Sequence, residues 1–517
     1  MTGSIIDVLI VGAGPTGTAL AVDLVRRGVS IRIVDKAGAS FEGSRAKGVQ
    51  PRTMEVFQDL GILDDVLAGG ADYPRLGIHL GSLTIPWRMI ANAPRTSSVP
   101  YPRTWLIPQS RTDAALHRRL AALGHRVDFG HELVGVRRDE DTAVATLSGP
   151  DGTEDVIARY IVAADGGSSA VRSGLGIAFP GTTDETDRII IIDGVTSGLS
   201  RNRWHMWPAR GGGFIGACPL PHSDLFQWMI RLQPGEEPQL DLAAINARLQ
   251  RSVRNPSVVI HGIQWISVFR PNIRLAAQYR QGRVLLAGDA AHVHPPAGAQ
   301  GLNTGIQDAY NLGWKLGQVL AGADPALLDT YEAERRPIAQ SVLALATKKY
   351  DGIAKADPSS IRRGKDETQL TLSYRGGPLA RADVVHSATV QAGDRAPDAD
   401  LVAANGKQAR LFDRFIGPHF TMIAYGPAAA MAMKALRWPA TGATLDRVAI
   451  AVDGRAGPDA DFADSRGSFR KGYGATGDLT VLVRPDGYIG HIATAADAAS
   501  MQAAIDRMTP AFGEALL

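Results

Sequence analysis

The first 35 residues constrain the fold more than any other part of the chain. An apolar run at Asp7–Val11 predicts a buried strand, and the turn GAGPTG follows it. A helical pattern then extends from Thr18 to Arg27 and ends at Gly28, and a second strand, Ile31–Val34, ends at Asp35. Strand, glycine turn, helix, strand and acid in this order are the fingerprint of a dinucleotide-binding βαβ unit.

The glycine turn itself suits a phosphate group. Gly12, Gly14 and Gly17 match G-x-G-x-x-G, and Pro15 and Thr16 lie within this turn before the predicted helix. A helix N-terminus has free N–H groups and a partial positive charge, so it attracts anions. The acid that ends the second strand lies about twenty residues further on, where it can hold a ribose hydroxyl.

A second match to the same pattern lacks this context. Gly211, Gly213 and Gly216 fit G-x-G-x-x-G, but no strand leads straight into them. Pro219 and Pro221 prevent a helix from following. We interpret this match as a hairpin turn.

A later stretch, RVLLAGDAAHVHPPAGAQGLNTG, predicts another ligand site. Val284–Ala287 is a short apolar strand, and Gly288 and Asp289 end it. A loop of prolines and glycines follows, and a helical pattern extends from about Asn303 to Leu320. A carboxylate at a strand tip and glycines before a helix N-terminus suit a ligand that is anionic or becomes so.

Three motifs together resemble a known family. GAGPTG near residue 12, ADGGSSAVR around Asp165 and GDAAHVHPPAGAQGLN around Asp289 resemble the three signatures of the class A flavin-dependent aromatic hydroxylases, in the same order and with similar spacing. These enzymes share the p-hydroxybenzoate hydroxylase fold. The resemblance covers about the first two-thirds of the chain, and Asp35 stands where many members have Glu.

The resemblance implies an α/β fold with three parts: an FAD-binding Rossmann-like domain of the GR2 type, an inserted β-sheet substrate domain and a C-terminal thioredoxin-like domain. The last part is typical of the polyketide-, phenol- and rifampicin-type monooxygenases. Strand-like alternation in the middle of the chain and a shift to Asp, Lys, Ser, Gly and Arg after residue 350 agree with this division. The predicted boundaries are 1–70, 104–182 and 272–350 for the FAD domain, 71–103 and 183–271 for the substrate domain, 351–388 for a linker and 389–517 for the C-terminal domain.

The resemblance also implies which residues hold FAD. Asp289 would hold the ribityl chain, and the N–H groups at residues 301–303 would face the pyrimidine edge of the flavin, where the reduced ring carries negative charge. The predicted cofactor residues are Gly12, Gly14, Pro15, Thr16, Gly17, Asp35, Lys36, Arg45, Gln109, Asp165, Gly166, Arg172, Gly288, Asp289, His292, Pro296, Gly298, Gly301, Leu302 and Asn303.

The substrate site is predicted from the alternating strands. Aromatic and apolar residues at period two describe a wide surface suited to a planar substrate, although each alone is more often a core residue. The predicted substrate residues are Trp204, Met206, Phe214, Phe226, Trp228 and Pro295. A side chain that takes a phenolic proton would help the reaction, and the predicted catalytic residues are Arg45, His205 and His222.

The implied reaction is hydroxylation of a phenolic or polycyclic aromatic compound. NAD(P)H, with NADPH favoured, would reduce the flavin, and O2 would then form a flavin hydroperoxide that the electron-rich ring attacks. Baeyer–Villiger oxygen insertion on the same fold stays open. So does a flavoprotein that shelters an aromatic intermediate without turning over.

Composition limits the expected partners, redox chemistry and cellular location of the protein. A net charge of +3 without a Lys/Arg block gives no reason to expect nucleic acid. One cysteine, Cys218, excludes an internal disulfide and the flavin disulfide reductases, which need a cysteine pair, and it favours a cytoplasmic protein. No signal peptide and no membrane span are predicted.

The remaining expectations concern metals and the C-terminal domain. His292 and His294 lie beside Asp289, but no third and fourth ligand is apparent, so no metal is predicted. The C-terminal domain lacks cysteine and is interpreted as structural or as a contact in a homodimer.

Overall fold

The computed structural model describes residues 5–90, 94–209, 213–295, 298–355, 357–380, 389–452, 454, 456–457 and 459–511. The strands are β1 Ile6–Val11, β2 Ile31–Asp35, β3 Gly48–Val49, β4 Ala71–Asp72, β5 Arg75–Leu80, β6 Leu83–Trp87, β7 Trp105–Leu106, β8 Asp128–Phe129, β9 Glu132–Arg138, β10 Ala143–Gly149, β11 Gly152–Ala163, β12 Gly181–Thr183, β13 Ile189–Ser197, β14 Arg203–Pro208, β15 Phe214–Pro219, β16 Leu225–Arg231, β17 Val259–Phe269, β18 Asn272–Leu275, β19 Arg280–Gln281, β20 Val284–Leu286, β21 His292–Val293, β22 Asp400–Ala403, β23 Gln408–Arg410, β24 Phe420–Tyr425, β25 Leu445–Ala451, β26 Phe462–Ala463, β27 Leu479–Val483 and β28 Ile489–Thr494.

The helices are α1 Pro15–Val25, α2 Pro51–Leu60, α3 Leu63–Gly69, α4 Gln109–Ala122, α5 Ala170–Gly174, α6 Leu242–Val253, α7 Gly301–Leu320, α8 Asp329–Ala354, α9 Pro427–Ala435, α10 Ser468–Tyr473 and α11 Ala498–Met508. Among the described residues, no helix is both long and apolar enough to cross a membrane.

The first sheet brings the three motifs to one edge. Its strand order is β19-β20-β11-β1-β2-β8, and β20, β11, β1, β2 and β8 run parallel. The carboxyl ends of parallel strands lie at the same edge, where α/β sheets bind ligands. The glycine turn follows β1, Asp165 follows β11 and Asp289 follows β20, so all three motifs lie at this edge.

Helices α1 and α7 cross in close contact at glycines of α7. A Cβ at Gly305 would lie 2.3 Å from Thr16 Oγ1, and a Cβ at Gly313 would lie 2.2 Å from Asp23 Oδ2. Both distances are shorter than any ordinary contact, so the two backbones can approach only because these positions lack side chains. The crossing holds the N-terminus of α7 beside the glycine turn.

The second sheet has two unlike faces. Its order is β17-β13-β16-β15-β14-β5-β6. One face, called the back face here, packs on Ile245 and Leu249 of α6 and is mostly apolar. The opposite, front face carries the half-buried side chains of Trp204, Met206 and Met229. The glycine pattern near residue 213 falls between β14 and β15, which pair antiparallel, as a hairpin requires.

The C-terminal part forms a mixed sheet with its own core. Strand β24 pairs parallel with β25 and antiparallel with β27, and the full order is β23-β22-β26-β25-β24-β27-β28. Helices α9, α10 and α11 cover this sheet, and the mixed α/β arrangement agrees with the thioredoxin-like domain that the family resemblance implied.

Helix α8 contains a proline that does not end it. Pro337 lies inside α8, which continues to Ala354 with buried residues on both sides of the proline. Packing therefore outweighs the lost backbone hydrogen bond. The described part of the predicted linker, up to residue 380, is not solvated throughout: Gln369 is buried and donates to Gln300 Oε1 at 2.8 Å. Residues 381–388 lie outside the described residues.

A fully buried ionic network joins the C-terminal sheet to the cofactor domain. Glu334 of α8 lies 2.7 Å from Arg484 Nη1 and 2.8 Å from Lys315 Nζ, and Asp486 completes the group. Burial opposes ionisation of Glu334, but the charges of Arg484 and Lys315 outweigh it and lower the pKa of this carboxyl to about 2. The C-terminal sheet and the cofactor domain are therefore held in one arrangement by buried charges that stabilise one another.

Removing Arg484 should destabilise the protein strongly. Arg484→Met leaves Glu334 and Asp486 as buried charges and should cost about 3–5 kcal/mol of unfolding free energy at neutral pH. Because the pKa of Glu334 is lowered when folded, its contribution is present above its ordinary pKa of 4.5 and is lost as the pH falls toward 2. The difference between variant and wild type should therefore shrink below about pH 4.5.

Urea unfolding of the FAD-loaded protein measures this difference. Arg375→Met is the matched control, because Arg375 is exposed and pairs with Asp394 at the surface. It should cost no more than about 1 kcal/mol. Equal effects of the two substitutions would contradict the importance of the network.

Candidate active site

The glycine turn is shaped by contacts on two sides and is open on the third. A Cβ at Gly12 would lie 2.3 Å from the Ala164 carbonyl oxygen, and a Cβ at Gly17 would lie 1.9 Å from the Gly12 carbonyl oxygen. A Cβ at Gly14 would meet nothing within 4 Å. The first and third glycines thus permit packing, and the middle one leaves space at the N-terminus of α1 where a pyrophosphate could approach.

The acid at the end of β2 lies beside this turn. Asp35 accepts the N–H of Ala13 at 2.8 Å and that of Ala37 at 2.9 Å. These bonds orient its carboxylate next to the space over the turn, as binding of a ribose requires. Lys36 instead extends over the surface, 3.9 Å from Glu132, and its role in cofactor binding stays a prediction.

A buried acid that we did not predict lies between Arg45 and Gln109. Gln109 Nε2 donates to Asp113 Oδ2 at 3.3 Å, while Asp113 Oδ1 is inaccessible and has no partner among the described residues. Burial raises the pKa of Asp113 to about 7, and the charge of Arg45 only partly opposes this. Its one signal in the sequence was a position one helical turn after Gln109.

Asp165 also has an unsatisfied oxygen. Its Oδ2 accepts the N–H of Val171 at 3.2 Å, but Oδ1 is inaccessible and unpaired in the described part of the chain, and burial raises its pKa. Gly166, which follows at φ +82°, makes the turn behind it. A buried polar oxygen without a partner at a strand end suits a polar group of a ligand.

Arg172 connects two loops of the site. Its Nη1 donates to the Ala290 carbonyl at 2.9 Å, and its Nη2 donates to the Gly167 carbonyl at 2.9 Å. The guanidinium also stacks on Phe179, 3.8 Å from the ring centroid. Arg172 therefore fixes the loop after β11 to the loop after β20, and direct contact with a nucleotide stays a prediction.

The loop after β20 is organised by a carboxylate of α7. Asp308 accepts the Gly288 N–H at 3.1 Å and lies 2.6 Å from His292 Nε2 and 2.7 Å from Arg335 Nε. Burial alone would raise the pKa of Asp308. The charges of His292 and Arg335 have a larger combined effect and lower this pKa, so the carboxyl is ionised. We predicted that His292 holds the cofactor. It instead holds the loop from within the core.

Asp289 lies at the strand tip, exposed, beside the start of α7. A Cβ at Gly301, the first residue of α7, would lie 4.0 Å from Asp289 Oδ1. The first N–H groups of α7 have no partners within the helix. The Asp289 carboxylate therefore lies next to free backbone N–H groups. This arrangement suits a ligand that has both hydroxyl and carbonyl groups.

The loop before α7 is tied to the loop before α2. Asn303 Nδ2 donates to the Gly48 carbonyl at 2.8 Å, and Asn303 Oδ1 accepts the Gln50 N–H at 2.8 Å. Gln50 Nε2 donates to the Gly298 carbonyl at 3.1 Å. Asn303 is therefore a connecting residue. Leu302 packs on the main core, and Pro296 lies outside the described residues.

The front face of the second sheet carries only part of the predicted substrate set. Trp204, Met206 and Phe214 are half-buried there. Pro295 is buried, and it lies between β21 and α7, in the loop before α7. Lys47 extends to this face, with its Nζ 4.7 Å from the centroid of Trp204.

The other predicted aromatic residues belong to the core. Phe226 and Trp228 are on the back face under α6, and Trp228 Nε1 donates to Thr196 Oγ1 at 2.9 Å. Period two along β16 assigned these residues to one face correctly, but the helix that covers this face makes it core. The prediction that they contact substrate was wrong.

The two predicted histidines do not face the substrate side. His205 is buried on the back face, stacks on His79 with 5.1 Å between ring centroids and donates from Nε2 to the Ser200 carbonyl at 2.8 Å. His222 lies in the turn after β15 and donates from Nε2 to the Gly70 carbonyl at 2.9 Å. Both make structural hydrogen bonds, so their assignment as catalytic residues was wrong. Among the described residues, no group of three or more His, Cys, Asp or Glu could hold a metal ion.

Comparison with known proteins places this geometry in a family. The family described as "FAD binding domain" matches residues 5–346, and the one described as "HcaD C-terminal domain" matches residues 393–508. The chain belongs to the FAD-binding family. It is 40% identical over 493 residues to a flavin-dependent monooxygenase of Mycobacteroides abscessus, covering 93% of this chain and 96% of the relative.

Other relatives agree. The chain is 34% identical to the 12-dehydrotetracycline 5-monooxygenase/anhydrotetracycline 6-monooxygenase of Streptomyces rimosus, over 93% of this chain and 94% of that protein. The structure of aklavinone-11 hydroxylase with FAD and aklavinone superposes with a TM-score of 0.83 at 25% identity, covering 98% of this chain and 99% of that chain. The protein is a flavin-dependent aromatic monooxygenase that uses FAD, NAD(P)H and O2, as the three motifs predicted.

The described residues fit FAD. The space over Gly14 would take the pyrophosphate, Asp35 the ribose and Asp289 the ribityl chain, with the unpaired oxygen of Asp165 nearby. The N-terminus of α7 would take the polar edge of the ring. Each position carries a group of the polarity that the corresponding part of FAD needs.

Asp289→Ala should weaken binding of FAD. Loss of a charge-assisted hydrogen bond to a hydroxyl corresponds to about a 10- to 100-fold higher Kd. Flavin fluorescence during reconstitution of the stripped protein measures this Kd. Asp139→Ala, an exposed aspartate in the turn after β9, should leave it unchanged. A fully flavinated Asp289→Ala protein with wild-type Kd would remove Asp289 from the site.

Proposed function

We propose that the protein hydroxylates a polycyclic phenol whose rings lie between the front face of the second sheet and the loop before α7. The observation that supports this proposal is the difference between the two faces of the second sheet. Phe226 and Trp228 seal the back face against α6, while Trp204, Met206 and Met229 leave an apolar front face half-buried. Relatives named for tetracycline intermediates, rifampicin and pentachlorophenol act on aromatic substrates, which supports the same class here.

The chain contributes binding, orientation and exclusion of water. The redox chemistry, acceptance of a hydride from NADPH and activation of O2, is what FAD supplies when bound. The first N–H groups of α7, at residues 301–303, favour negative charge beside them. The apolar side chains of the front face keep water from the reacting atoms and hold the ring in one orientation.

The same proposal covers the finer assignments. The domain boundaries predicted from the sequence are retained as part of it, with residues 357–380 added to the FAD-binding domain. We also assign NADPH as the preferred reductant, a homodimer contact to the C-terminal domain, and a cytoplasmic location that the single, buried Cys218 favours.

Oxygen-isotope labelling tests the function. The FAD-loaded protein is supplied with NADPH, 18O2 and a panel of polycyclic phenols. A substrate should speed NADPH oxidation by at least about tenfold, and its product should gain one 18O. The control uses 16O2 in H2 18O, which should give no label.

The position of the label separates the open alternatives. Label in a new hydroxyl group supports the proposal, and label within an enlarged, lactone-type ring would indicate Baeyer–Villiger insertion instead. Slow NADPH oxidation that gives only hydrogen peroxide with every bound compound would indicate a protein that shelters its ligand.

A further inference from the structure

Two positively charged side chains, Lys47 and Arg363, lie near the front face and the loop before α7. Lys47, in the loop before α2, is buried, and its Nζ donates to Gln227 Oε1. The same nitrogen lies 4.7 Å from the ring centroid of Trp204 and 3.9 Å from the sulfur of Met229. Lys47 therefore points at the apolar surface that we assign to the substrate.

Arg363 comes from the segment after α8. Its N–H donates to the Met89 carbonyl at 2.7 Å, and it forms a parallel bridge with Ile90, which fixes this segment to the end of the second sheet. A Cβ at Gly298 would lie 3.3 Å from Arg363 Nη1, so the guanidinium lies over the loop before α7. In the part of the chain that the structure describes, its side chain makes no hydrogen bond or ion pair.

Gly48 and Tyr73 connect the surroundings of the two cations. A Cβ at Gly48, next to Lys47, would lie 2.8 Å from Ala299 Cβ, which follows the Gly298 that Arg363 approaches. A Cβ at Gly48 would lie 3.7 Å from Tyr73 Cε2, and the rings of Tyr73 and Trp204 are 6.0 Å apart. Burial lowers the pKa of Lys47, and the charge of Arg363 lowers it further, although Cys218 and Asp193 act in the other direction. The two cations thus repel each other.

The carboxylates that act on these cations are already bonded to other groups. Asp193 accepts the N–H of Ser44 at 2.6 Å and its hydroxyl at 2.5 Å. Glu367 accepts the Gly364 N–H at 2.6 Å and lies 2.9 Å from Lys349 Nζ. A buried lysine and a half-buried arginine without a bonded carboxylate are costly unless a ligand supplies negative charge.

We propose that Lys47 and Arg363 bind an anionic oxygen of the aromatic substrate, so that the enzyme selects compounds with an acidic phenol or enol. This rests on the proposed function and names its substrate class more closely. An ionised oxygen releases more electron density into its ring than a neutral hydroxyl does, so the same contact that binds the substrate also favours its reactive form. Trp204 and Met229 would contact the apolar part of the rings.

Two matched probes test the proposal. Alizarin carries an acidic phenol, and its 2-methyl ether lacks that group but keeps the ring system. The FAD-loaded wild type should bind alizarin at least about tenfold more tightly by calorimetry, as a charge-assisted contact predicts. Bound alizarin should also show the long-wavelength absorption of its anion at a pH where the dissolved compound is neutral.

Variants assign this preference to the two residues. Lys47→Met and Arg363→Gln should each lose most of the preference and shift the ionisation of bound alizarin to higher pH. Lys47→Arg and Arg363→Lys keep the charge and should retain part of it. Arg362→Gln is the control, because Arg362 is the exposed neighbour that stacks on Trp87, 5.5 Å from the ring centroid.

The outcomes are distinct. Equal affinity of the wild type for both probes, or no binding of alizarin, would overturn the proposal. So would flavin-loaded Lys47→Met and Arg363→Gln proteins that keep the full preference. Failure of the proposed function would look different: the preference for the anion would be present, but no 18O would enter any bound compound.

Discussion

The buried carboxylate of Asp308 holds together the parts from which the cofactor site is built. It lies on α7 and bonds to the backbone after β20, to His292 and to Arg335 of α8, all away from solvent. Because an ionised carboxylate inside a protein needs several donors, these elements cannot shift independently. The strand tip with Asp289 and the N-terminus of α7 therefore keep one relation to each other.

The close crossing of α1 and α7 extends this constraint to the glycine turn. Gly305 and Gly313 let α7 lie directly on Thr16 and Asp23 of α1, so the two helix N-termini that would face FAD belong to one rigid pair. Arg172 adds a third connection, between the loops after β11 and β20. Three strand ends and two helix ends thus present their polar groups to the same space without needing to move.

The substrate side depends on a different feature, namely that the two faces of the second sheet are covered to different extents. Helix α6 buries the back face as core, and the front face carries apolar side chains that are incompletely covered. A polar group of Ser44, Asp193, Gln227 and Lys47 connects the front face to the loop before α2. That loop is itself bonded through Asn303 to the start of α7, so the substrate surface and the flavin side are coupled by hydrogen bonds.

Local sequence rules identified the strand ends of the cofactor domain but not the covered face of the second sheet. The turn at Gly12, Asp165 and the strand tip at Asp289 follow from short-range patterns and one sheet edge. Alternation along β16 separated Phe226 and Trp228 from their neighbours, but it could not tell which face α6 would cover. His292 and His205 are of a residue type that can bind a cofactor or transfer a proton. Only long-range packing showed that both side chains face inward. Arg363 lay in a stretch whose polar composition predicted a linker, and its approach to Gly298 depends on contacts far apart in the sequence.

A crystal structure of the FAD-loaded enzyme with alizarin tests the central claim most directly. The account predicts aromatic rings between the front face and the loop before α7, with an alizarin oxygen within hydrogen-bonding distance of Lys47 Nζ or the Arg363 guanidinium. Rings bound elsewhere, or bound on the front face with every oxygen turned away from both cations, would contradict it.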